Sequence, residues 1–186
     1  MKRFFDFIMS LILFLLLLLP MIVIAIAVSI TSKGPILYWS NRIGQNEINF
    51  RMPKFRTMIV ETPDLPSHLM TNSNQYLSPI GKFLRSYSLD ELPQLVSILW
   101  GDMSFVGPRP ALYNQEDLIA LRNERKINTL KPGLTGWAQI NGRDELSIIE
   151  KVNLDLEYMN NQSFRLDLKI FLATFIKVVK SKDILH

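Results

Sequence analysis

The stretch "LFLLLLLPMIVIAIAVSI", Leu13–Ile30, carries no charge and has Pro20 near its middle. How it is read decides where the rest of the chain works. The uncharged run begins at Phe7; as a straight helix to Ile30 it covers about 36 Å, more than the ~30 Å hydrocarbon core of a bilayer. A spanning helix is one reading. A signal peptide is a second, since Lys2 and Arg3 make a basic start and Ala25-Ile26-Ala27 resembles a cleavage site. The apolar run is too long for an ordinary signal core, and no polar region precedes the alanines. A re-entrant helix–break–helix is the third. Positive charge on both flanks asks for both ends on the cytoplasmic side, and Pro20 removes one backbone hydrogen bond and crowds the Leu16 carbonyl. Proline also occurs in spanning helices, so spanning and re-entrant readings both stand on the residues alone.

Outward from this segment, the composition narrows the options. The chain has 186 residues, 48% of them hydrophobic, a net charge of +4 and no cysteine. Disulfide scaffolds and thiolate metal sites are excluded. Beyond the apolar segment, about 155 residues suffice for one domain with its own core. Between Thr31 and Val60, Lys33, Arg42, Arg51, Lys54 and Arg56 stand against Glu47 alone. A basic strip beside an apolar segment suits lipid headgroups or a phosphorylated substrate. No nucleic-acid-binding signature accompanies it, so no nucleic-acid partner is expected.

"ILYWSNRIGQNEINFRMPKF", residues 36–55, reads as a β hairpin turning at Gly44–Glu47, with Pro53 ending the second strand or confining it to an edge. "ETPDLPSHLMTNSNQYLSP", residues 61–79, reads as a loop. Ile80, Phe83, Leu84 and Tyr87 have helical spacing, as do "ELPQLVSILWGD", a segment near Gln115–Ile127, and "LSIIEKVNLDLEYM". "SFVGPRPALYNQ" reads as a stiff turn and "LKPGLTGWAQINGRD" as loop with a short strand. "RLDLKIFLATFIKVVKSK", edged by Lys169, Lys177, Lys180 and Lys182, fits a helix lying on a membrane surface or a core helix with solvated lysines.

The densest polar cluster is "RSYSLDELPQL", Arg85–Leu95. Ser88-Leu89-Asp90-Glu91 matches a capping box, but that frame puts Pro93 past the first turn, where it loses a bond. A helix starting at Asp90 tolerates Pro93 and sets both carboxylates at its N-terminus. An ionised pair there, beside Arg85, can bind a divalent cation or attack an electrophile. In "GPRPAL", prolines flank Arg109 and stiffen it, as bidentate phosphate recognition requires; a turn with a solvated arginine is the alternative. In "PKFRTM", Lys54 and Arg56 would share one side of a strand. Asp155 and Glu157 in "NLDLEY" are candidate acids or helix surface. There is no P-loop and no Rossmann fingerprint, and His68 and His186 lack the company a zinc site or a Ser-His triad needs. Trp39, Trp100 and Trp137 suit a headgroup layer or a core equally.

"KFRTM", "RSYSLDELPQL", "GDMSFVGPRPAL", "KPGLTGWAQINGR" and the Asp155–Tyr158 segment, in this order, resemble the bacterial sugar transferases. The similarity is closest to the small monotopic phosphoglycosyl transferases and runs from about Lys2 to about Lys180. The resemblance implies an α+β, mostly helical fold: a re-entrant membrane helix over residues 1–32 broken at Pro20, then a cytoplasmic catalytic domain over 33–186 with a small β hairpin and interfacial amphipathic helices. It implies transfer of a sugar-1-phosphate from a UDP-sugar to undecaprenyl phosphate on the cytoplasmic face of a bacterial inner membrane, with Mg²⁺ and release of UMP. Asp90 would be the nucleophile and Glu91 the Mg²⁺ ligand. Lys54, Arg85 and Arg109 would bind phosphate, and Asp155 would be a further site acid. "ETPDL" and "GPRPALYNQ" look closest to members that transfer 6-deoxy-N-acetylhexosamine phosphates. Where the family often has serine before the proline, this chain has Leu19. Two rivals remain: a glycosyltransferase that moves only the sugar and releases UDP, and a non-catalytic membrane adaptor.

Overall fold

A computed structural model describes residues 2–60, 62, 73–142 and 145–180. Helix α1, Lys2–Thr31, is followed by a hairpin of β1, Leu37–Ile43, and β2, Asn49–Phe55. Then come α2, Gly81–Ser86, a 3₁₀ helix over Leu89–Gln94, α3, Leu95–Trp100, and β3, Ser104–Val106. The chain closes with α4, Glu116–Glu124, β4, Gly133–Thr135, α5, Trp137–Ile140, α6, Ile148–Asn160, and α7, Phe164–Lys180. The described fold is mostly helical with a small β hairpin, as expected, and has a second two-stranded sheet besides. Most of the expected loop over 61–79, with His68, lies outside the described residues, as do His186 and Lys182.

Helix α1 is long and apolar enough to cross a membrane by length and composition, yet it lies against the folded body along one face. Asp6, Ser10, Ile24 and Val28 are buried, and Met9, Leu13, Phe14, Leu17, Met21 and Ala25 pack beside them. This is the three-to-four-residue spacing of one helix face. The opposite face is apolar and bare: Leu15, Leu16, Leu19 and Val23 are all more than half exposed. Both ends are tied down. At the start, Lys2 pairs with Asp167 of α7, and Arg3 donates to the carbonyls of Ile98 and Leu99 where α3 ends. One turn on, the Asp6 carboxylate accepts from the Phe105 amide of β3 at 3.3 Å. At the far end, Arg56 Nη2 donates to the carbonyl and hydroxyl of Ser32, both at 2.7 Å. The expected break is not an interruption: the helix is continuous through Pro20. Proline forfeits only the bond to Leu16, and inward contacts at Leu17 and Met21 hold the helix on both sides of it.

The hairpin has the expected turn, and its register pairs Tyr38 with Lys54, Ser40 with Met52 and Arg42 with Phe50. Pro53 sits within β2 opposite Trp39. The bonds from Arg56 N to Ile36 O and from Gly44 N to Ile48 O set the hydrogen-bonded pairs at alternate positions, so the backbone nitrogen of residue 53 faces away from β1 and its missing N–H costs no ladder bond. The strand stops at Phe55, so Lys54 and Arg56 do not serve one site: Arg56 turns back to α1, whereas Lys54 turns to Glu91. The expected capping box at Ser88 is also absent. Ser88 adopts a left-handed conformation (φ 53°) and its side chain caps nothing. A capping box forms instead at Ser147 and Glu150, at the start of α6.

β3 and β4 pair in parallel, an arrangement the sequence reading did not contain. It depends on glycine. A Cβ on Gly133 would fall 2.1 Å from the Gly107 nitrogen, and one on Gly107 would fall 2.3 Å from the Lys131 carbonyl. Only bare backbone permits that approach. The main core lies between this sheet, α1, α3, α6 and α7, around Ile98, Met103, Phe105, Tyr158 and Ile170. Each fully buried aliphatic side chain there stabilises the fold by about 1.5–3 kcal/mol. On α7, Ile170 is buried while Phe164, Leu172, Phe175 and Ile176 are more than half exposed. It is therefore not a helix buried on all sides. The tryptophans diverge: Trp100 is largely exposed, while Trp39 and Trp137 lie under Arg51 and Lys169.

Candidate functional site

The 3₁₀ helix carries Asp90 and Glu91 in its first turn, and Pro93 is accommodated within it. Glu91 is the hub. Its Oε1 accepts from Lys54 Nζ at 2.8 Å and from Arg109 Nη2 at 2.7 Å. Burial opposes ionisation of Glu91, but the Arg109 and Lys54 charges and hydrogen bonds outweigh it and hold the carboxyl well below the usual glutamate range. Asp90 is also buried and moves the other way. Burial and the adjacent Glu91 charge push its pKa up, and Lys54, Arg85 and Arg109 offset this only in part. Arg85 is positioned by donating from Nε to Thr57 Oγ1 at 2.9 Å. Burial depresses the pKa of Lys54, with partial compensation from Glu91.

Arg109 owes its position to four consecutive carbonyls, each gripped by a different donor. Pro108 O accepts from Gly133 N at 2.9 Å, Arg109 O from Arg122 Nη1 at 2.8 Å, Pro110 O from Arg42 Nη1 at 3.1 Å and Ala111 O from Ile43 N at 3.0 Å. The prolines fix φ, and these bonds fix the rest. The stiff turn expected from "GPRPAL" is therefore a strap pinned to both sheets and to α4.

Asp155 is buried on α6 and binds Arg122, whose Nε lies 3.0 Å from Oδ2. Burial pushes the Asp155 carboxyl up, and Arg122 opposes the shift. Arg122 bridges Asp155 to the Arg109 carbonyl, so two residues, Arg122 and Arg109, stand between Asp155 and the carboxylate pair. The structure thus brings Lys54, Asp90, Glu91, Arg85 and Arg109 together and connects Asp155 through Arg122. The sequence reading missed Arg122 and Arg42. Arg122 reads as helix surface, and nothing near it in sequence indicates its partner. Arg42 was legible only as part of the basic strip.

Among the described residues no three His, Asp or Glu side chains gather into a metal site. Mg²⁺ commonly takes one or two carboxylates and completes its shell with substrate phosphates and water. The Asp90–Glu91 pair fits a cation shared with a diphosphate, not one caged by protein alone.

A buried carboxylate pair ringed by cations, in a chain with one helix long and apolar enough to cross a membrane, is an arrangement suited to handling phosphate esters. Sequence comparison agrees, the chain matching the family described as bacterial sugar transferase over residues 1–181. It is 38% identical to the uncharacterized sugar transferase EpsL of Bacillus subtilis (strain 168), covering 99% of this chain and 90% of that protein. It is 37% identical to the UDP-glucose:undecaprenyl-phosphate glucose-1-phosphate transferase of Escherichia coli (strain K12), covering 95% of this chain and 40% of that one. It is 34% identical to the exopolysaccharide production protein ExoY of Rhizobium meliloti (strain 1021), covering 97% and 86%. The chain spans less than half the length of the relatives named as undecaprenyl-phosphate transferases. It belongs to the bacterial sugar transferase family and is, as such, a phosphoglycosyl transferase.

Proposed function

We propose that this enzyme transfers a sugar-1-phosphate from a UDP-sugar to undecaprenyl phosphate in two steps through Asp90. In the first, a carboxylate oxygen of Asp90 attacks the phosphorus that bears the sugar. The bond from that phosphorus to the bridging oxygen breaks, and UMP leaves with the electron pair. In the second, a phosphate oxygen of the polyprenyl acceptor attacks the same phosphorus, the acyl phosphate bond breaks, and Asp90 regains its carboxylate. Dividing the transfer lets a soluble donor and a lipid acceptor use one site in turn. The observation that carries this reading is Glu91 clamped between Lys54 and Arg109 beside Asp90. A carboxylate approaching a diphosphate meets like charge, and Lys54, Arg85 and Arg109 are set to offset it. Mg²⁺, held by Glu91, would supply further neutralisation of phosphate oxygens.

The attachment of both ends of α1 to one body supports monotopic insertion. The first turn of α1 binds α3 and α7, and Ser32, just past its last turn, binds Arg56, which favours both ends lying on one side of a bilayer. The bare apolar face of α1 and the exposed side of α7 then meet lipid, with the site on the cytoplasmic side, where UDP-sugars are made.

The test is incubation with Mg²⁺, undecaprenyl phosphate and a donor panel of UDP-glucose, UDP-galactose and a UDP-6-deoxy-N-acetylhexosamine. The relatives' names carry glucose and galactosyl, while the 6-deoxy sugar rests on "ETPDL", of which only Thr62 is described, and on "GPRPALYNQ". UMP release with one of these donors supports the reading. UDP release, or full activity in Asp90→Asn, overturns it.

A further inference from the structure

We infer that Arg42 is a substrate-phosphate ligand, a fourth cation of the site alongside Lys54, Arg85 and Arg109. The inference rests on the phosphoryl-transfer reading above and adds to it a residue that neither the motifs nor the comparisons assign. Three observations carry it. The first is placement. Directly opposed residues of an antiparallel pair share a face, and side chains alternate along each strand. The register pairs Tyr38 with Lys54 and Arg42 with Phe50, so Arg42 and Lys54 project from the same face of the hairpin, toward the carboxylates. The second is the quality of its partners. Arg42 Nε donates to Ser40 Oγ at 2.9 Å and Nη1 to the Pro110 carbonyl at 3.1 Å. Both acceptors are neutral. No carboxylate among the described residues forms an ion pair with Arg42, although Lys54 and Arg109 share one and Arg122 has its own.

The third is charge balance. With Asp90 and Glu91 both ionised, the four cations leave the site two charges positive. Burial and the nearby Arg109 charge depress Arg42 to about 10, and Glu91 restores only part of this. A guanidinium removed from water and set beside another, with no anion of its own, is unfavourable in isolation. A bound phosphate supplies the missing charge, and the arginine fork suits its oxygens. Arg42 binds the strap at the Pro110 carbonyl, next to Arg109, which the strap carries and Glu91 anchors. A phosphate between them would be gripped by groups already fixed in place.

Both substrates present phosphate: the diphosphate of the donor and the single phosphate of the polyprenyl acceptor. The experiment separates them. Binding of UDP and of uridine, with Mg²⁺ present, is measured by calorimetry on the full chain in detergent micelles, for wild type, Arg42→Gln and Arg42→Lys. Binding of a short polyprenyl phosphate is measured in parallel. Loss of one charge-assisted contact predicts that Arg42→Gln weakens UDP about 10- to 100-fold, leaves uridine unchanged and flattens the salt dependence of UDP binding. Arg42→Lys should fall between the two. Weakening confined to the polyprenyl phosphate supports the same role with the acceptor as the source. UDP and polyprenyl phosphate both bound within twofold of wild type would overturn the inference. So would an equal loss for uridine, which marks Arg42 as a mere support for Pro110. Wild type that binds neither phosphate compound would instead overturn the phosphoryl-transfer reading itself.

Discussion

Replacing Glu91 with glutamine keeps the shape of the side chain and removes the one anion that Lys54 and Arg109 share. Lys54 Nζ lies 2.8 Å from Glu91 Oε1, and both side chains are less than one-fifth exposed. At an effective dielectric constant of 20 that contact is worth roughly 6 kcal/mol of Coulomb energy, before the cost of removing both charges from water is subtracted. The Arg109 contact is one-third exposed on the arginine side and is discounted for solvent screening. Breaking a buried pair by removing one partner costs about 3–5 kcal/mol, because the other charge is stranded. Glutamine still accepts one hydrogen bond, so the expected loss is about 2–4 kcal/mol. For a chain of this size that lowers Tm by roughly 5–15 °C. Thermal unfolding in one detergent, with both proteins ligand-free, measures it. The folded-state pKa of Glu91 lies below its ordinary value of 4.5, so its stabilisation is fully present above that value and is lost as pH falls through the folded pKa. The Tm gap should be constant from pH 6 to 8 and close in acid. Adding Lys54→Met removes the stranded cation and should recover part of the loss. Refutation would be a Glu91→Gln Tm equal to wild type, or a double variant whose loss is the simple sum of the two single losses.

Asp90→Asn should abolish transfer yet unfold at or above the wild-type temperature at pH 7. The raised pKa of Asp90 makes its ionised form a cost in the folded state, absent below the ordinary aspartate value and complete above the folded one, so the difference should disappear in acid. Arg122→Leu should raise KM for the UDP-sugar about tenfold or more by freeing the Arg109 carbonyl; combined with Arg109→Ala, the two KM effects should be less than additive. Because the chain has no cysteine, Lys33→Cys gives a single label site. That cysteine and a tag before Met1 should both be reached by impermeant reagents from the cytoplasmic face only, and a tag reached only from the opposite face would contradict monotopic insertion.

Local patterning made the hairpin, the apolar helix and most of the helical segments legible, because each is encoded by spacing within a few residues. The gathering of Lys54, Asp90, Glu91 and Arg109 was legible through motifs in order, not through any single spacing. What escaped has physical causes. The Ser88 capping box failed because a cap is worth about 1 kcal/mol, less than the combined pull of Lys54 and Arg109 on Glu91. The alternation of Lys54 and Arg56 failed because β2 ends between them and the Ser32 carbonyl takes Arg56. The β3–β4 pairing depends on the missing side chains of Gly107 and Gly133, which mark close backbone approach without naming the partner. Arg122 and Asp155 meet across 33 residues, a distance that no local rule reads.

The central claim is a sugar phosphate carried covalently on Asp90, and a single-turnover experiment without any lipid acceptor tests it most directly. Enzyme mixed with Mg²⁺ and its UDP-sugar should release a burst of UMP stoichiometric with active protein. The intact mass should rise by one sugar phosphate, mapped to the Asp90 peptide, and Asp90→Asn should show neither change. UMP formed only once undecaprenyl phosphate is added, with no mass shift on the protein beforehand, would contradict the two-step account.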